Sequence, residues 1–284
     1  NIFEHLLYGS EKPYVYYPIK DVKWVPEGLE IITHYNQTKI IKNDNLHTDS
    51  ASIEDHLTTT TYWLGTDRYG RSIFSRLILG IRISILVGFL AVFISLIVGT
   101  SIGAIGGFFG GWIDRFVMYL INVMWSIPTL LLVFAIVLAF GRGLGIIFLA
   151  VGLTMWVDVA RIVRGQVKKI KEEQFVQAAR SIGTKRLNIL FYHIIPNIIG
   201  PILVIGAANF ATAILIEAGL SYLGFGVRPP TPSIGNMLIE HYGYAITGKP
   251  ILALIPALTI MLMVLAFNLL GSGLRDVYDV RDDS

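Results

Sequence analysis

Five stretches of this chain are apolar for long enough to cross a bilayer core, which takes about 20 residues of helix. They lie at about 83–106, 116–140, 144–163, 198–220 and 251–270. Lipid offers a backbone no hydrogen bonds, so each stretch must satisfy its own N–H and C=O groups as a helix. The expected fold class is therefore all-α: a polytopic membrane domain over residues 80–275 with five transmembrane helices. Pro128 and Pro201 predict kinks or helix starts. Gly88, Gly99, Gly103, Gly106 and Gly107 lie along or just after the first stretch and permit close helix contact, for which tight packing is a sufficient reason. The chain is 54% hydrophobic and 15% charged, with a mean hydropathy of +0.62, as an integral membrane protein requires. A net charge of +3 is too small to indicate a nucleic-acid partner. With no cysteine, a disulfide framework, a thiolate metal site and a cysteine nucleophile are excluded.

Residues 1–79 differ in character. They are polar, with short β-like runs in YVYYPI and LEIITHY, and predict a small solvent-exposed segment with some strand. Asn36-Gln37-Thr38 matches a glycosylation sequon of a kind common by chance. The chain starts at Asn1 without the apolar core of a signal peptide, and an upstream transmembrane helix, making six, is expected.

Orientation follows from the cations of the 164–196 insert. Arg164, Lys168, Lys169, Lys171, Arg180, Lys185 and Arg186 face only Glu172 and Glu173 within it. The densest basic cluster beside a span marks the cytoplasmic side. Counting spans in both directions then puts residues 1–79 and the 225–249 loop outside and the tail at 276–284 inside. Arg68, Arg71, Arg76 and Arg82 cluster before the first span, on the side that the charge rule disfavours.

The insert itself reads as two short helices. Phe175, Ala178, Ala179 and Ile182 fall at i, i+3, i+4 and i+7, one face of an α-helix; Gln174, Gln177, Arg180 and Ser181 lie on the other side. Gly183 is placed to stop the helix in a left-handed conformation, and Thr184 to cap a second helix. In that one Leu187, Leu190, Phe191 and Ile194 repeat the spacing, and Pro196 is expected to end it. Such a pair serves either as an interfacial helix pair on the inner leaflet or as a docking knob for a cytoplasmic partner.

Gln177-Ala178-Ala179, Gly183 four residues on, and Ile195-Pro196 resemble the EAA coupling motif of type I ABC importer permeases. Gln177 replaces its glutamate, His193 stands at its isoleucine and Ile195 at its leucine; the spacing is intact. His193-Ile194-Ile195-Pro196-Asn197 is similar to the C-type subunit of the dipeptide, oligopeptide and nickel permeases. LGTDRYGRSIFSRLILGIRIS (64–84), EAGLSYLGFGVRPPTPSIGNML (217–238) and LAFNLLGSGLRDVYDVR (265–281) resemble other segments of that branch, in the right order. The resemblance implies a type I importer permease fold in a bacterial or archaeal plasma membrane. It implies a second permease subunit, two cytoplasmic ATP-binding subunits and an extracytoplasmic substrate-binding protein as partners. Its cargo would be di- or oligopeptides, or nickel or another small solute. It implies that the insert docks on the ATPases through Gln177, Ala178, Ala179, Arg180, Gly183, His193 and Pro196. Residues 1–63 lie outside it and read as an expanded external loop.

The sequence contains no G-x-x-x-x-G-K-[ST] loop and its six histidines have no zinc-ligand spacing, so no cofactor, metal or catalytic site is expected in this chain. Ionisable groups inside spans are costly and often functional. Glu217 either lines the translocation path, with Asn209 as a second candidate, or hydrogen-bonds a neighbouring helix. Asp158, three residues before Arg161, is expected to pair with it. A secondary transporter or channel with a lipid-lying loop is the alternative from a different class. A proton-coupled carrier would bury several ionisable groups near the midplane, and this sequence offers almost none.

Overall fold

The computed structural model describes residues 17, 19–33, 37–42, 53, 57, 61–67, 69–227, 231–246 and 248–279. Asn36, Arg68, most of the YVYYPI run and the end of the C-terminal tail lie outside the described residues. The chain divides into two compact units, 1–78 and 79–284.

In the first unit, strands β1 (Ile19–Val25), β2 (Gly28–Thr33) and β3 (Thr38–Lys42) form an antiparallel sheet in that order. Pro26 and Glu27 make the β1–β2 turn, and Val25 pairs with Gly28. A side chain at Gly28 would put its Cβ 2.0 Å from the Ile41 carbonyl oxygen, so only glycine fits there.

Farther along this unit, Asp67 organises the TDRYGR turn. Its carboxylate accepts the backbone N–H groups of Tyr69 (2.8 Å) and Arg71 (3.0 Å). It also accepts Arg71 Nε (2.7 Å) and Arg76 Nη1 (2.8 Å). Two of the arginines that disagreed with the charge rule are thus held by one buried carboxylate. Burial alone would raise the Asp67 pKa, but the bonds from the Arg71 and Tyr69 backbone and the Arg71 side chain outweigh it and hold it below the ordinary value. A carboxyl with a depressed folded-state pKa stabilises the fold above its unfolded pKa and loses that contribution as pH falls through the depressed value. Asp67→Asn is therefore expected to cost about 2 kcal/mol at neutral pH. In thermal unfolding, the gap to wild type should close as pH drops below the usual aspartate range. A pH-independent gap would show that charge is not what Asp67 contributes.

Helix α1 (Ile73–Phe109) is 37 residues long, about 55 Å, well beyond one bilayer core. It is followed by α2 (Gly111–Trp125), α3 (Thr129–Phe140), α4 (Leu144–Lys171), α5 (Gln174–Ser181), α6 (Arg186–Tyr222), α7 (Ile234–Ile246) and α8 (Ile251–Asp279). Helices α1, α4, α6 and α8 are each long and apolar enough to span a membrane; α2 and α3 together make a fifth candidate, bent by 85° at residues 126–128. Pro128 sits at this break, where it starts α3 and leaves no interior amide missing.

Glycines decide how the spans meet. A Cβ at Gly99, Gly103 or Gly107 of α1 would stand 2.6, 2.4 or 2.8 Å from the carbonyl oxygens of Trp156, Ala160 and Arg164 of α4. Gly152 of α4 lies equally close to the Ala91 carbonyl. Residue numbers rise together along both helices, so α1 and α4 run parallel. The chain between them must therefore return, and the bent α2–α3 pair is the return crossing. Contacts from Gly88 to Phe210 and from Ser84 to Glu217 run the other way, so α6 is antiparallel to α1. Gly271 against Ala207 and Gly200 against Tyr278 make α8 antiparallel to α6. The insert and the end of α8 thus lie at the same end of the bundle, with α7 at the other.

Candidate functional site

The insert grows out of the foot of α4. Lys168, Lys169 and Lys171 occupy the last turn of that helix, where cations complement the partial negative charge of the carbonyl end. Arg164 makes a bidentate pair with Asp114 in the first turn of α2, its Nη2 donating at 2.8 Å, and Lys168 Nζ adds a bond of 2.6 Å to the same carboxylate. Asp114, remote in sequence, is a charge partner that the reading of the insert alone missed. Among the described residues, Lys169, Arg180, Lys185 and Arg186 have no carboxylate within ion-pair distance.

Helix α5 starts at Gln174, and its N-cap residue Glu173 makes no side-chain capping bond. Gln177 Nε2 instead donates to the Glu172 carbonyl at 3.0 Å, closing the corner between α4 and α5. A carboxylate at 177 has no proton to give to that carbonyl, so the amide here suits the corner. Gly183, at φ +82, ends the helix. Its N–H bonds the Arg180 carbonyl (3.0 Å), and that of Thr184 bonds Ala179 (3.1 Å). These paired bonds are a Schellman stop, as the placing of Gly183 implied.

The faces of α5 differ from the expectation. Val176 and Ala179 point inward, onto a core of Val163 and Val167 from α4, Ile189, Leu190 and Ile194 from α6, and Phe108 from α1. Ala178 does not share that face: adjacent helical residues lie about 100° apart, so the two alanines divide between inside and outside. Phe175 (44% exposed), Ala178 and Ile182 (83% exposed) form an outward apolar stripe, beside the solvent-facing Gln174, Gln177, Arg180 and Ser181.

The second helix also departs from expectation in two places. Thr184 does not cap it; the N-cap residue is Lys185, without a side-chain bond. Pro196 does not end it either. The chain runs from Arg186 to Tyr222 as one helix, passing through a π segment at Ile189–Ile194 and a 3₁₀ segment at Ile195–Ile198. Pro196 falls in the first turn of the 3₁₀ segment, where a missing N–H costs least, and the change of helical pitch accommodates the ring. Asn197 Nδ2 donates to the carbonyl of half-buried His193 at 2.6 Å.

Within the bundle, Glu217 of α6 is fully buried. Ser84 of α1 donates to Oε2 and Ser221 to Oε1, both at 2.8 Å, and Ser233 donates to Ser221 at 3.1 Å. Among the described residues, Asn209, 5% exposed, has no hydrogen-bond partner for Nδ2. The Asp158–Arg161 pair does not form. The Trp125 indole N–H donates to Asp158 at 2.9 Å, and the Arg161 guanidinium lies over the same ring, 4.1 Å from its centre. Trp125, Asp158, Thr129 and Thr154 line a cleft of about 180 Å³ at the break between α2 and α3.

The chain is 45% identical over 218 residues to a glutathione transport system permease protein of Salmonella typhimurium, covering 77% of this chain and 72% of that one. It is 41% identical to a dipeptide transport system permease protein of Alkalihalophilus pseudofirmus, covering 77% and 71%. In fold it is similar to an inward-facing MetNI methionine ABC transporter, with a TM-score of 0.60 at 16% identity, over 72% of this chain and 97% of that one. It is likewise similar to an amino acid ABC transporter, with a TM-score of 0.55 at 22% identity, over 72% and 94%. These matches set aside the secondary-transporter reading. Residues 99–281 match the family model described as binding-protein-dependent transport system inner membrane component, and the chain belongs to that family.

Proposed function

We propose that this permease subunit of an ABC importer carries small peptides, and that the insert is its docking element for cytoplasmic ATP-binding subunits. The relatives named for glutathione and dipeptide transport support a peptide cargo. The observation that carries the docking reading is the outward stripe of Phe175, Ala178 and Ile182 on a helix held from behind by Val176 and Ala179. An apolar stripe ringed by uncompensated cations suits a protein groove with an acidic rim. In this reading Arg180 meets an acid on the partner, Gln177 and Gly183 fix the two ends of α5, and His193 and Pro196 set the angle at which α6 leaves it.

The proposed assembly contains a second permease subunit, two ATP-binding subunits and an extracytoplasmic substrate-binding protein, in a bacterial or archaeal plasma membrane. The insert and the tail face the cytoplasm; residues 1–79 face outward. Arg71 and Arg76, held by Asp67, weigh less against this orientation than free cations would. Glu217 and Asn209 both lie on α6, which is proposed to border the path, Glu217 as an inter-helix tie and Asn209 as the group with a donor to spare.

Co-purification with the ATP-binding subunits tests the docking. Phe175→Asp with Ala178→Arg should insert normally and cut retention of those subunits at least tenfold, the order of effect of losing a buried interface anchor. Retention equal to wild type would reduce the insert to an interfacial helix pair.

A further inference from the structure

Helix α2 is strapped to α4 at both ends. At its start, Asp114 holds Arg164 and Lys168. At its end, Trp125 bonds Asp158 and stacks under Arg161. Between the straps Val117 and Ile121 pack on Trp156, Val157 and Ala160. Apart from Trp156 and Val157 at its middle, these partners lie in the half of α4 that leads into the insert. Beyond the 85° break α3 also runs against α4, and its Phe134 packs edge-on against Phe225, 4.5 Å between ring centres, in the loop after α6 at the opposite end of the bundle. One half of the broken span is thus tied by charge to the insert end, and the other adds a contact at the far end.

We propose that Asp114 is a positioning residue for ATP-driven transport: it locks α2 to the cationic foot of α4, so that α2 follows the insert and the break at 126–128 takes up the displacement relative to α3. Packing alone leaves α2 able to slide or roll on α4 when α5 is pulled. A partly buried carboxylate shared by two cations fixes the register, because moving either cation away strands charge in a poorly solvated place. The proposal rests on the reading of the insert as the ATPase-docking element.

The test uses the complete transporter with its ATP-binding subunits in lipid nanodiscs. This chain has no cysteine, so spin labels at Ser181→Cys with Tyr119→Cys, and at Ser181→Cys with Leu138→Cys, report on α2 and α3 separately. Trapping with Mg-ATP and vanadate is expected to shift the 181–138 distance by about 2–5 Å, between the helix shifts and the one-turn ratchets of switching proteins, while leaving 181–119 unchanged. With Asp114→Asn, 181–119 should shift as well; with Asp114→Glu it should stay fixed. If Asp114→Asn does not assemble, Arg164→Gln with Lys168→Gln breaks the same bridge from the other side. A 181–119 distance that moves in wild type, or stays fixed in the bridge-breaking variant, overturns the proposal and leaves Asp114 a merely stabilising residue. If neither distance responds to trapping in wild type, it is the docking reading of the insert that fails.

Discussion

Gly103→Val is expected to leave little or no correctly packed subunit. Its Cβ would stand 2.4 Å from the Ala160 carbonyl oxygen and 2.9 Å from the Ala160 Cα. Both atoms belong to the backbone of a helix, so neither can turn aside as a flexible side chain would. The helices would have to separate along their whole contact, giving up the close approach at Gly99 and Gly107 as well. Overpacking that no rotamer change relieves costs about 4 kcal/mol or more, the range in which single substitutions abolish a fold. Size-exclusion profiles and thermal unfolding of the purified subunit would read this. Gly165→Ala is the control: it is exposed, lies in α4, the helix that carries Ala160, and has open space around the added Cβ. It should be neutral or slightly stabilising, since alanine favours helix over glycine by about 1 kcal/mol. A Gly103→Val subunit as stable as the Gly165→Ala one would refute the direct contact of the α1 glycines with the α4 backbone.

Glu217→Ala should cost about 3 kcal/mol of stability. It removes the acceptor for Ser84 and Ser221 at once, and each buried hydroxyl left unsatisfied carries a penalty of about 1–3 kcal/mol. It also opens a void in a fully buried site. Glu217→Gln keeps an acceptor and should lose much less. The two variants separate the roles open to this residue. As an inter-helix tie, Glu217 gives a stability series of wild type, Gln, Ala, with transport following the amount of folded protein. If Gln instead changed transport per folded subunit without changing stability, the side chain would be meeting the cargo.

The five spans were legible because hydropathy over 20 residues is a coarse and robust signal. Gly183 was legible because a left-handed helix stop is a local event, decided by one residue's backbone. What eluded the sequence depended on partners far along the chain. Asp158 and Arg161 have the spacing of an ion pair, and an indole 33 residues upstream of Asp158 takes both. Ala178 and Ala179 read as one face because an apolar stripe can be drawn through either. Only the core at Val163, Ile189 and Ile194 decides that Val176 and Ala179 turn inward. Pro196 reads as a stop, yet the helix absorbs it by changing pitch. Pro128 marked a kink, but the 85° break and the return it makes between parallel α1 and α4 are properties of the packed bundle.

The parallel contact between α1 and α4 limits how this subunit works as a machine. Helices separated by a layer of side chains can slide, trading one set of rotamers for another. Where Gly99, Gly103 and Gly107 rest directly on carbonyl groups, no such layer exists and a shift of register meets backbone at every turn. Shear between these two spans is closed off. In the proposed docking reading, a pull on the insert therefore rocks the α1–α4 unit as one body, with the pivot at its edges, and is felt at the far end of α1 without slack.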